Sequence, residues 1–140
     1  MTAFDRISLG MTGVIAILTI IELLRGEAVD KSRKRARIYH ATSLGVLLVS
    51  GLLLIINGWG ILGLMGESLG NRLVAIVATL IPFAWAAGVV TQLTPQHAKW
   101  YLPVLLVGLV LIGISRFIDA PTFSRIVYPL FHGTAGVTII

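Results

Sequence analysis

His40, His97 and His132 are the residues of this 140-residue sequence with the richest potential chemistry. An imidazole inside a bilayer can be an axial ligand of haem or a station for a proton. These three histidines are therefore candidate ligands for a b-type haem. Two ligands of one haem must face each other at similar depth. His40 falls in the first turn of an apolar stretch and His132 near the middle of the last one, a difference of about 10 Å at 1.5 Å per residue. His97 matches His40 in depth but lies between two apolar stretches, where a loop is expected. Beside His132, the run Phe131-His132-Gly133-Thr134-Ala135-Gly136 offers small residues past which a flat macrocycle could slide. For each histidine alone, a structural or headgroup role is the expected one.

Glu22 is the second group of interest. At 100° per residue it shares one face of the first stretch with Ser8, Thr12 and Thr19. It is expected to pair with Arg25 or a neighbouring cation, or, with His40 and Asn57, to line a polar path for a transporter or channel. The sequence contains no cysteine, which removes disulfides, iron–sulfur clusters and thiolate chemistry. It has no HExxH, GxxxxGK[ST] or GxSxG pattern, and it is expected not to be an enzyme.

The elements that position these groups follow from hydropathy. Of the residues, 56% are hydrophobic and 12% charged, against about 25% charged in an ordinary soluble domain. Mean hydropathy is +0.94. The pattern predicts an all-α integral membrane protein in one domain, with spans at about 7–24, 38–62, 73–93 and 100–118. A further apolar segment at 123–140 is expected to form a fifth span or a broken, interfacial helix. Pro82 is expected to kink the third span. The second is longer than one crossing needs and is expected to tilt or to leave the membrane near Gly58-Trp59-Gly60, with Trp59 as an interfacial anchor.

The net charge of +5 is concentrated at residues 25–37, read as a basic loop. Arg25, Lys31, Arg33, Lys34, Arg35 and Arg37 would meet anionic lipid headgroups rather than nucleic acid. By the positive-inside rule that loop is cytoplasmic and the N-terminus extracytoplasmic, in a bacterial inner membrane or a derivative of one. Ser43, Ser50, Gly51, Asn57 and Gly58 mark a face of the second span suited to a helix-packing seam. The general build resembles small four- or five-helix membrane subunits, including the anchors of respiratory and photosynthetic complexes and small b-type cytochromes. No motif carries that likeness, so no residue role is transferred from it. Three functions follow as expectations. The first is a non-catalytic membrane subunit or assembly factor packing against other subunits or copies of itself. The others are a haem-bearing electron-transfer subunit and a small transporter or channel.

Overall fold

The computed structural model describes residues 1–26, 30–63, 67–118 and 120–140, and all of its regular structure is helical. Helix α1 is Ala3–Arg25 and α2 is Lys31–Asn57, followed by a short 3-10 helix at Gly58–Gly63. Then come α3 at Glu67–Leu93, α4 at Pro95–Phe117 and α5 at Pro121–Ile139. Four of these are long and apolar enough to cross a membrane: α1, α2 with its extension to Ile61, α3 from Leu69, and α4. At 19 residues α5 has the length, but it is not one of the four. The protein is an all-α bundle of membrane-spanning helices with a fifth helix packed onto it. That helix runs unbroken through Pro129.

The helix ends show why several boundaries move from those expected. Asp30 caps α2: its Oδ1 accepts from the Arg33 backbone N–H at 2.8 Å and from the Ser32 hydroxyl at 2.6 Å. The helix therefore starts at Lys31, and the basic residues from Lys31 to Arg37 lie on helical turns instead of in a loop over 25–37. Lys, Arg and Ala are good helix formers, so once the cap is set nothing in that run interrupts the helix. Likewise α3 begins at Glu67, ahead of the expected Leu73. Thr94 alone separates α3 from α4, because Pro95 starts α4 with a ring whose missing N–H costs nothing there. His97 thus belongs to the first turn of α4 and not to a loop. At the far end of α2, Gly58 has φ +56, a conformation that glycine adopts freely, and the α-helix ends where expected.

The Asp30 cap carries a pH dependence. Hydrogen bonds from the Ser32 hydroxyl and the Arg33 backbone hold its carboxyl below the usual carboxylate range. A carboxyl whose pKa is lower in the folded state contributes stability above its unfolded pKa and loses it as pH falls through the folded one. Protection of the Arg33 amide, its exchange taken relative to the intrinsic rate at each pH, is therefore expected to be high at neutral pH and to fall only in acid, below the usual carboxylate range. Asp30→Asn, which keeps an acceptor without a charge, should flatten that profile. A profile unchanged by the substitution would remove Asp30 as its source.

Packing radiates from α3, which touches α2 on one side and both α4 and α5 on the other; α4 and α5 also pack together. The core lies there, around Phe83, Ala86, Ala87, Leu105, Ile112, Val127 and Ala135. Helix α1 leans on α2, and Ala16 is its one buried residue.

Candidate functional site

His40 is placed by the α2–α3 contact. It is 8% exposed, and its ring lies 4.5 Å from that of Trp85 at an interplanar angle of 56°. The ring occupies a notch over Gly88, where an added Cβ would be 2.6 Å from Nδ1 and 2.7 Å from Nε2. One turn further along α2, the Ser43 hydroxyl donates to the Ile81 carbonyl at 2.8 Å. That carbonyl immediately precedes Pro82, whereas the carbonyl that proline leaves without its helical donor is that of Ala78, so Ser43 adds a bond from α2 beside the proline and does not replace the lost one. The buried Nδ1 of His40 and Oγ1 of Thr91 have no hydrogen-bond partner among the described residues.

His132 sits in a different environment. Its ring stacks on Tyr128 at 4.9 Å and 15°, and the Arg116 guanidinium lies 5.1 Å from the Tyr128 ring on α5. The resulting cation–aromatic–imidazole stack joins α4 to α5. Asp119, the acidic residue three positions after Arg116, lies outside the described residues. The i, i+4 spacing of Tyr128 and His132 was available in the sequence as a signal of this stack. Its third member, from another helix, was not.

Depth separates the buried ring of His40 from the half-buried ring of His132. The short α3–α4 junction gives both helices a common origin at Thr94. From that level the Gly88 notch is about 9 Å away, and Gly108, against which Phe131 packs, is about 21 Å away. His132 follows Phe131 on α5, so it lies about 12 Å deeper than His40 by this measure. His97 is exposed at the basic end. The structure does not bring the three histidines together as ligands of one haem, and among the described residues no three of His, Asp and Glu converge to hold a metal ion.

Glu22 and Asn57 are also apart from His40. Glu22 is exposed near the end of α1, and the one ion pair among the described residues joins Arg33 to Asp30, with N···O at 3.8 Å. The expected Glu22–Arg25 pair is not formed. Asn57 is exposed and donates to the Leu53 carbonyl of its own helix at 3.1 Å. The face marked by Ser43, Ser50, Gly51, Asn57 and Gly58 divides between neighbours: Ser43 reaches α3, whereas Gly51 approaches Leu9 of α1. Of the basic residues, Arg25, Lys31, Arg33, Lys34 and Arg35 are exposed, while the half-buried Arg37 donates to the Gly26 carbonyl and ties the start of α2 to the end of α1. Neither the protein-family models, nor the curated proteins, nor the solved structures contain a match to this chain.

Proposed function

We propose that this protein is a non-catalytic subunit or assembly factor of a larger membrane complex, docking a partner's helix along α1. The observation behind this reading is the polar stripe of Ser8, Thr12, Thr19 and Glu22, which the chain's own helices leave uncovered. Thr12 and Glu22 are exposed, Ser8 and Thr19 only half-buried, and Ile15 between them is 62% exposed. Hydroxyls and carboxylates on a spanning helix are stabilised by facing other helices, where they can hydrogen-bond across an interface. Thr12 and Thr19 are satisfied within α1 by the carbonyls of Ser8 and Ile15, which keeps the helix soluble in lipid until a partner arrives. Under this reading the basic end faces the cytoplasm of a bacterial inner membrane and meets anionic headgroups there.

The absence of cysteine makes the test clean. Single substitutions Ile15→Cys and Thr19→Cys, cross-linked in the native membrane, should each give one discrete heavier product. Ile126→Cys, on exposed α5 surface, should give none. The product's mass separates a second copy from a different chain. Thr19→Leu combined with Glu22→Gln should reduce copurification of that partner without loss of helix content. A chain that forms no product at either α1 position, or forms it equally at 126, would not be a docked subunit of this kind.

A further inference from the structure

Three arginines stand at the end of the bundle opposite the basic segment: Arg72 near the start of α3, Arg116 in the last turn of α4 and Arg125 early in α5. The positive-inside bias does not account for them, since the longer run of Lys and Arg marks the other end. Among the described residues none of the three is in an ion pair. At 1.5 Å per residue each lies within about 8 Å of its helix end, which is the level of lipid headgroups.

Arg116 is held in place. An arginine at this level ordinarily extends its charge into water. Arg116 is instead half-buried, and its guanidinium lies 5.1 Å from the ring of Tyr128, which His132 backs at 4.9 Å. Its Nε is buried and has no acceptor among the described residues. A charged donor buried without an acceptor is costly, so the position of Arg116 calls for an anion at the guanidinium. A water would supply an acceptor but not the opposite charge. The planar fork fixed in one orientation is also what a bidentate contact with an oxyanion uses, and a mobile headgroup-level side chain lacks it.

The surroundings narrow the source of that anion. Arg125 is exposed and stands three residues before Tyr128 on α5, where Cβ atoms are about 5–6 Å apart, so a second guanidinium reaches the same place. Arg72 is turned the other way, onto Phe117 at 5.4 Å. Around Arg116 and Arg125 the exposed surface is apolar: Phe117, Ile118, Ile126 and Leu130. A free anion would meet the two charges and leave this apolar surface unused. A lipid meets both, with its phosphate at the arginines and its chains on the surface beside them. An ethanolamine or choline headgroup would bring a third positive charge to two arginines, so the favoured lipid is anionic.

We propose that Arg116 and Arg125 bind the phosphate of one anionic lipid beside Tyr128, with the lipid's chains running over Ile126 and Leu130. The site is independent of the docking face, because α1 packs against α2 and this seam joins α4 to α5. Three carboxylates belong to the same end of the bundle. Asp5 is on α1, where it accepts from the Thr2 backbone N–H at 2.7 Å. The side chains of Glu67 and Asp119 lie outside the described residues, so the test removes each of them. It places the full chain in phosphatidylcholine nanodiscs with a small fraction of photoactivatable phosphatidylglycerol or, separately, photoactivatable phosphatidylcholine. Labelled residues are then located by mass spectrometry. Labelling around Ile126 and Leu130 should favour phosphatidylglycerol by about tenfold.

Arg116→Gln should remove that preference, and Arg125→Gln, at an exposed position, serves as the second variant if the first misfolds. Arg116→Lys, which keeps the charge and loses the fork, should give an intermediate value. Lys34→Gln combined with Arg35→Gln, at the basic end, should leave labelling at Ile126 and Leu130 unchanged, which separates this site from headgroup contacts there. An excess of inorganic phosphate should not displace the lipid; displacement would assign the arginines to a free anion and remove the lipid. Equal labelling by the two probes, or a preference indifferent to both arginine substitutions in folded protein, would overturn the proposal. So would a preference that emerges only in Glu67→Gln or Asp119→Asn, because the partner of the arginines would then be a carboxylate of the chain itself.

Discussion

Gly88→Leu is expected to push α2 off α3 and to destabilise the protein more than any other single substitution on that face. Even a methyl at this position would lie 2.6 Å from Nδ1 of His40, and the ring has little room to retreat because it is buried and held against Trp85. Two effects oppose each other. Replacing glycine inside a helix gains about 1 kcal/mol of propensity, whereas overpacking a filled contact costs about 1–3 kcal/mol. For Gly88→Ala they nearly cancel. For Gly88→Leu the propensity gain is similar and the steric cost larger, so the loss becomes visible. The direct test is unfolding of the purified protein in mixed detergent micelles. His40→Ala alone should destabilise by opening a void beside Gly88. Combined with Gly88→Leu it should recover part of the loss, since the leucine then occupies the space of the missing ring. Strictly additive losses would mean that the two residues do not share this contact.

That contact also shows what a sequence reading could and could not reach. The helical membrane class was legible because lipid leaves few alternatives: backbone polar groups must be satisfied within the span, and long apolar runs declare it. The end of the α2 α-helix at Gly58 was legible because glycine and tryptophan punctuate the run there. The value of Ser43 was partly legible, as a small polar residue on a face with Ser50 and Gly51. Its acceptor, the Ile81 carbonyl, was not, because pairing between helices depends on which neighbour arrives and at what height.

The boundary corrections have a shared cause. Charged residues from Lys31 to Arg37 look like a loop when hydropathy alone is read, yet they are good helix formers behind a capping aspartate. Pro95 looks like the end of one helix and is the first residue of the next. The histidines show the limit most directly. Three imidazoles were candidate haem ligands, and what two of them rest on is visible only in the structure, His40 seated over Gly88 and His132 stacked on Tyr128. Ring type was visible in the sequence, but the surface each ring rests on was not.

The second large effect is expected at Gly108, on the opposite side of α3. Phe131 of α5 lies across this glycine of α4, and an added Cβ would be 2.6 Å from the ring's Cγ and 3.0 Å from Cε1. Helix α5 is not among the four helices apolar enough to span on their own account, so its place depends on packing against α3 and α4. Beside the burial of Val127 and Ala135 in the core, three contacts tie it there: the Phe131–Gly108 contact, the Arg116–Tyr128 contact, and the hydrogen bond between the Tyr101 and Thr138 hydroxyls at 2.7 Å. Gly108→Leu removes the first without touching the other two. An overpacking cost of about 1–3 kcal/mol corresponds to roughly a 5- to 150-fold rise in the opened population. A thiol introduced by Val127→Cys reports it, because Val127 is only 6% exposed in the closed arrangement. Its modification by a membrane-permeant maleimide should be slow in the parent and faster by that factor in Gly108→Leu. Phe131→Ala should have a smaller effect, because the space it leaves faces a bilayer whose chains can enter it. Equal rates in the parent and Gly108→Leu would place the hold on α5 in the Tyr101 and Arg116 contacts instead, and would leave Phe131 as a lipid-facing ring that happens to lie beside a glycine.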